Sequence, residues 1–178
     1  MAVKYERIVE EDLNLGTGTV DVSMPGGGTV VGHRIGPHTF TALAFIASAA
    51  GGQFITGGAA AATVQLTIED LDVAEWFDPS TYEFHPNVTG RYQIDGFLTL
   101  GEFTGTAVVS IYKNDDVVVS NEMVRAVAAG SLTLSALVDL DGDTDIVTLR
   151  VSHNDGTNLR PVSAARLSGF IVGRSPAE

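Results

Sequence analysis

The chain has 178 residues, 44% of them hydrophobic, with 22 acidic against 10 basic side chains, a net charge of −12 and a pI near 4.5. That balance excludes a cooperative phosphate-binding surface, so nucleic acid is not expected as a partner. The absence of cysteine excludes both a disulfide framework and a thiolate metal site.

The first segment, Met1 to His38, differs in character from the rest of the chain. The acids in MAVKYERIVEEDLNL stand where a secretory signal needs an apolar core, so the chain is expected to be made in the cytoplasm and not exported by that route. Thr19 to Met24 alternates, with Val20, Val22 and Met24 on one side; Pro25-Gly26-Gly27-Gly28 can reverse the chain, and Thr29 to Ile35, with Val30 and Ile35, can return. A β-hairpin with so little apolar surface is marginal alone. It is therefore expected to be an anchoring arm held by a partner, with Val20, Val22, Met24, Val30 and Ile35 as its contact residues, and the body is expected over 39–178.

Phe40 to Ala47 reads as a strand apolar on both faces, which needs cover on both sides. Gly51, Gly52, Gly57 and Gly58 interrupt the apolar stretch Ala42 to Ala62 well short of the roughly 20 residues a bilayer requires, so no membrane span is expected. Gln53 to Thr56 and Thr63 to Ile68 read as short strands. Asp78-Pro79-Ser80 reads as a turn, Tyr82 to Phe84 as a short strand, and His85-Pro86-Asn87 with Gly90 as a second break. From Arg91 the period is two: Tyr92, Ile94, Gly96, Leu98 and Leu100 lie on one face, Arg91, Gln93, Asp95, Phe97 and Thr99 on the other. Further strands are expected at Thr106 to Lys113, Val117 to Ser120, Leu132 to Leu140, Ile146 to His153 and Ala165 to Gly173. They are separated by Asn114-Asp115-Asp116, the Ala128-Ala129-Gly130 region, Asp141-Gly142-Asp143 and Asn154-Asp155-Gly156. Many short strands without a helical period indicate an all-β sandwich of two antiparallel sheets; helix is expected at most as a single turn near Val124 to Ala129.

Phe77-Asp78-Pro79, then Tyr82-x-Phe84-x-Pro86, then Gly90-x-Tyr92, and near the C-terminus Leu167-Ser168-Gly169-Phe170-Ile171, together resemble the globular-head domain of complement and the related tumour necrosis factor jelly rolls, over about Phe40 to Arg174. That resemblance implies a jelly-roll β-sandwich, and a homotrimer in which one sheet packs about a threefold axis. The family includes animal secreted trimers, bacterial spore-coat proteins and phage virion proteins.

Little in the chain points to chemistry. The acidic run Asp139 to Asp145 brings carboxylates together, but Thr144 stands where a helix-loop-helix calcium loop needs glycine and no glutamate closes it, so a strand-joining turn that binds no metal is expected. His33, His38, His85 and His153 show no metal-ligand spacing. There is no nucleophile elbow, phosphate loop or zinc motif, so neither catalysis nor a cofactor is expected.

What remains is the placement of apolar residues opposite the faces that fill the sandwich. Phe97, Leu137, Phe170 and Val172 fall there, and the Phe40 strand, with Phe45, has the same double character; these six are the expected trimer interface. Several such residues on one sheet make a patch that monomers rarely leave uncovered. The resemblance and this pattern imply a non-enzymatic structural protein of a phage virion, assembled in the host cytoplasm. It would be a capsid decoration protein or head fibre whose partners are its own copies and other virion proteins such as the major capsid protein. The alternatives are a tail-fibre or collar component, a trimeric module recognising host glycan or protein, and a spore-coat surface protein.

Overall fold

The computed structural model describes residues 20–23, 29–32, 44–49 and 51–174. The chain divides into two compact units, Met1–Phe40 and Thr41–Glu178. In the first, β1 (Val20–Ser23) pairs antiparallel with β2 (Thr29–Gly32), placing Val22 opposite Val30. The expected turn at Pro25 to Gly28, and Met24, Ile35, His33, His38 and Phe40, lie outside the described residues.

The second unit is all β. Its strands are β3 (Ala44–Ala49), β4 (Phe54–Thr56), β5 (Ala62–Thr63), β6 (Ile68–Asp72), β7 (Phe77–Asp78), β8 (Glu83–Phe84), β9 (Gly90–Lys113), β10 (Asp116–Leu140), β11 (Val147–His153) and β12 (Leu159–Arg174). Two of these are unusually long, and they explain the architecture. The first half of β9 pairs with β12 and the second half with β11, while β10 follows β9 along its whole length. The β9–β10 hairpin therefore runs through both layers of a sandwich. One sheet has the order β6-β3-β12-β9-β10 and uses the halves of β9 and β10 around Gly90 to Leu100 and Gly130 to Leu140. The other runs β7-β8-β11-β9-β10 and uses the remaining halves.

The crossing is made by bulges. The β10 register shifts between Ala126 and Ala128 and again between Ala128 and Gly130, and an extra residue in one strand bends it and increases its twist. On the β9 side Gly105 adopts a φ of 107°, open only to glycine at ordinary cost. The strand bounds correct the sequence-based expectation at four places. The strands expected at Arg91 to Leu100 and Thr106 to Lys113 are one continuous strand, and so are those at Val117 to Ser120 and Leu132 to Leu140. The region near Val124 to Ala129 is extended, because its backbone groups pair with Phe103 to Thr106 of β9 and this pairing overrides the helix preference of the alanines. The strand expected at Thr63 to Ile68 is split into β5 and β6, with Val64 and Leu66 buried between them.

The core follows the period-two alternation. Tyr92, Ile94, Leu98 and Leu100 of β9 are fully buried, as are Val147, Leu149 and Val151 of β11 and Leu167 of β12. Aromatic rings join the sheets: Phe45 of β3 stacks on Phe84 of β8 at 4.0 Å between centroids, and Trp76 and Tyr92 close on them edgewise. The Tyr92 hydroxyl donates to the Val88 carbonyl at 2.6 Å, so its polar end is satisfied inside the cluster. The Asp78-Pro79-Ser80 turn forms as its residues require, the Asp78 carboxylate accepting the Ser80 N–H at 2.7 Å and the Ser80 hydroxyl at 2.6 Å.

Phe45 is 1% exposed and belongs to this core, which corrects its expected place at a trimer interface. The burial of β3 alternates, with Phe45, Ala47 and Ala49 inward, so the outer side of the strand carries Ala44, Ile46 and Ser48. The two faces of that strand are both apolar near Phe45, and only the packing distinguishes them.

Candidate functional site

The outer face of the first sheet can be written as rows of paired residues. Ala44, Phe170, Gln93 and Leu137 form one row across β3, β12, β9 and β10. The next is Leu71, Ile46, Ser168, Asp95 and Ser135, and the next Ile68, Ser48, Arg166, Phe97 and Thr133, both starting on β6. Ala164, Thr99 and Ser131 make a further row, and at the other margin Arg91 faces Asp139. Directly paired residues share a face, so these rows define a single surface.

That surface exposes several large apolar side chains among its polar ones. Leu137 is 58% exposed, Val172 55% and Phe170 48%, and Ile68 and Leu71 on the edge strand are exposed as well. Phe97 is half-buried and lines two shallow depressions that also reach Thr133 and Arg166. Of the interface residues expected from sequence, the face therefore brings together Phe97, Leu137 and Phe170, with Val172 beside the β12 bulge; Phe40 lies outside the described residues. Ile68, Leu71 and Ile46 also belong to the face, and sequence pattern did not identify them. Leu71 pairs with Ile46 but Glu69 pairs with Ala47, and the register shift between them breaks the alternation that would have announced β6 as part of the same face.

The polar groups of the face are mostly tied to one another. Arg91 donates in bidentate fashion to Asp139, Nε at 2.8 Å and the second nitrogen at 2.9 Å, and the ion pair holds the Asp139 carboxyl below the usual carboxylate range. The Gln93 amide donates to Ser135 Oγ at 2.7 Å and to Asp95 Oδ1 at 3.1 Å, while the Ser135 hydroxyl donates to the same Asp95 oxygen at 2.7 Å. Arg166 is exposed, and among the described residues no ion pair or hydrogen bond engages its side chain.

The outer face of the second sheet is different. Arg150 lies over the Tyr112 ring at 4.3 Å, donates to Thr148 Oγ1 and the Asn114 carbonyl, and pairs with Asp115. The guanidinium of this face is thus satisfied locally, although Val117 and Val124 on the same sheet are exposed.

The acidic turn is organised by its own backbone. The Asp141 carboxylate accepts the N–H groups of Asp143, Thr144 and Asp145 at 2.9 to 3.0 Å and the Thr144 hydroxyl at 2.6 Å. The Thr144 hydroxyl, with those N–H groups, holds the Asp141 carboxyl far below the usual carboxylate range. Gly142 has a φ of 72°, and a Cβ there would lie 2.5 Å from the Val88–Thr89 backbone. Burial would push the Asp145 carboxyl up, but the Lys113 ammonium at 2.7 Å, the Asp141 N–H and the Asn114 amide outweigh it and hold it down. Among the described residues no group of three or more His, Asp and Glu side chains is placed to hold a metal ion.

These depressed carboxyls stabilise the fold only while ionised, so their contribution is complete above the unfolded carboxylate value of about 4 and is lost as pH falls towards the lower folded values. The melting temperature is accordingly expected to drop as pH is lowered below about 4. Asp141→Asn, which has no proton to take up, should start lower at pH 7 and show a shallower decline. An equal decline in both would show that other groups carry the acid sensitivity.

The two described histidines, His85 and His153, have no common site. His85 lies 2.9 Å from the Glu83 carboxylate. His153 is buried, with Nε2 2.9 Å from the Ile55 carbonyl and Nδ1 3.3 Å from the Asp155 N–H. Since a carbonyl can only accept and an N–H only donate, Nε2 is the donor to Ile55 and Nδ1 the acceptor from Asp155.

With the geometry in place, the fold can be compared with known ones. The globular domain of a zebrafish complement 1qA protein superposes with a TM-score of 0.61 at 17% identity, covering 75% of this chain and 99% of that one. Eiger TNF from S. frugiperda gives 0.59 at 11%, covering 76% and 96%. The vertex protein P5 of phage PRD1 gives 0.51 at 15%, covering 73% and 96%. No protein-family model and no curated protein sequence matches the chain. The likeness is one of fold: the second unit is a jelly-roll β-sandwich, a fold it shares with these proteins.

Proposed function

We propose that this chain is a non-enzymatic structural protein of a phage particle, a homotrimer whose jelly roll projects as a decoration or short head fibre and whose N-terminal arm fastens it to other virion proteins such as the major capsid protein. The observation that carries the reading is the outer face of the first sheet, where Ile68, Leu71, Leu137 and Phe170 are exposed on one surface, with Val172 exposed at the β12 bulge, while Arg150 on the second sheet's outer face is satisfied locally. Apolar residues scattered singly need no explanation, whereas a shared patch calls for a partner. The threefold packing of the resembling family supplies that partner as further copies of the chain. The fold shared with a phage vertex protein supports the virion setting.

The arm has a hairpin of four-residue strands and too little apolar area to be stable unaided. Among the described residues its two strands pair with each other, and their outer backbone edges can add to a neighbouring sheet; three arms on one trimer multiply their affinity through effective concentration. A version lacking Met1 to His38 is therefore expected to trimerise and melt cooperatively, yet fail to bind particles that lack the native protein. Binding equal to that of the full-length chain would place the anchor in the jelly roll.

A second reading is a recognition module. It is favoured by Phe54 and Leu159, both exposed on the ribbon formed by β4 and the start of β12. β3 begins and β12 ends at the opposite end of the sandwich from this ribbon.

A further inference from the structure

Among the described residues, the outer face of the first sheet contains one cation without a counterpart. Arg166 stands in the row Ser48, Arg166, Phe97, Thr133, in the middle of the surface, and no described acceptor in its own chain engages it. Asp95 lies one row away in the same depression, which is lined by Asp95, Phe97, Thr133, Ser135, Arg166 and Ser168. Its Oδ1 accepts from Gln93 and Ser135, and its Oδ2 accepts from no described residue. The other carboxylate in these rows, Asp139, is fully engaged by Arg91.

We infer that Arg166 of each copy pairs with Asp95 of the next, so that the site is completed only by a second copy of this chain. The inference rests on the self-association proposed above and adds what sets its register. Covering the face with another molecule strips water from Arg166, and a guanidinium desolvated without an acceptor is heavily penalised. An apolar partner surface would leave that penalty unrelieved. A cyclic assembly of identical copies relieves it throughout, because every Arg166 then meets an Asp95 and no charge is left over. The planar fork of arginine suits a carboxylate that still has one oxygen open. A pair of this kind adds less to affinity than to specificity, since a slipped register would leave every Arg166 and every Asp95 of the ring buried and unmatched.

The test is a charge reversal and its restoration in the full-length chain, read by sedimentation equilibrium over a concentration series. Arg166→Asp and Asp95→Arg are each expected to raise the concentration at which the assembly dissociates by about a hundredfold or more, and the double variant to return it to within about tenfold of the wild type. The same pair of changes in a Phe170→Asp background, monomeric on the proposed reading, should leave the melting temperature where the single changes leave it. If the wild type assembles but the double variant is as weak as the two single effects combined, the pairing is overturned while the trimer stands. If reversal restores melting temperature in the monomeric background, the two residues pair within one chain and the inference is likewise overturned. A wild type that remains a single chain at micromolar concentration removes the self-association reading itself.

Discussion

Replacing Phe84 by alanine is expected to cost about 3–5 kcal/mol of folding free energy. The ring is 2% exposed and lies against three others, 4.0 Å from Phe45, 5.8 Å from Tyr92 and 6.2 Å from Trp76 between centroids. Its strand, β8, is only two residues long and meets β11 at a single pair, Phe84 with Val147. The backbone ladder is thus too short to hold the strand, and the side chain holds it instead. Truncation removes apolar area, forfeits the aromatic pair contribution of about 0.5–1.5 kcal/mol, and opens a cavity between the two sheets. Since a domain of this kind is stable by about 5–15 kcal/mol in all, much of the margin would be gone. Urea unfolding should show the midpoint falling with an unchanged slope, and Phe84→Leu should lose less than half as much. A loss below about 1 kcal/mol would mean that the cluster refills the space, contrary to the close packing described.

Phe170→Asp is expected to leave the protomer folded and abolish its assembly. Phe170 is half-exposed in the single chain, its row neighbours are Ala44 and Gln93, and solvent can hydrate a carboxylate at that position. In a trimer packed on this face the same carboxylate would be desolvated without a partner in each copy, a penalty of several kcal/mol per copy. Light scattering should report one chain where the wild type reports three, with the far-ultraviolet circular dichroism unchanged. Val124→Asp is the matched control: Val124 is 73% exposed, but it lies on the half of β10 that belongs to the other sheet, so the mass should not move. A wild type that is monomeric at micromolar concentration, or a Phe170→Asp variant that still assembles, would remove this face from consideration.

Local pattern determined a large part of the molecule. The alternation from Arg91 to Leu100 assigns every inward and outward side chain of that stretch correctly, because a strand has a period of two and one face of it must be apolar. The turn residues Asp78-Pro79-Ser80, Asn114-Asp115 and Asp141-Gly142-Asp143 act where their side chains and dihedrals predict, since those preferences reside in the residues themselves. The order of motifs around Phe77, Tyr82, Phe84 and Tyr92 pointed to a jelly roll, and the folded chain is one.

Tertiary structure decided what pattern leaves degenerate. A strand apolar on both faces, as at Ala44 to Ala49, does not say which face is the core, and Phe45 turned inward because the rings of Phe77 and Phe84 in the opposite sheet stack on it. Whether the alanines near Ala126 to Gly130 end a strand or bulge within one depends on a partner strand distant in sequence, since β9 supplies the hydrogen bonds that keep β10 extended across both sheets. The inclusion of Ile68 and Leu71 in the apolar face depends on a register shift against β3 that leaves no mark on the sequence. The open charge on Arg166 could be recognised only once Asp139 was seen to be held by Arg91, because which carboxylate a guanidinium reaches is set by strand register and not by distance along the chain.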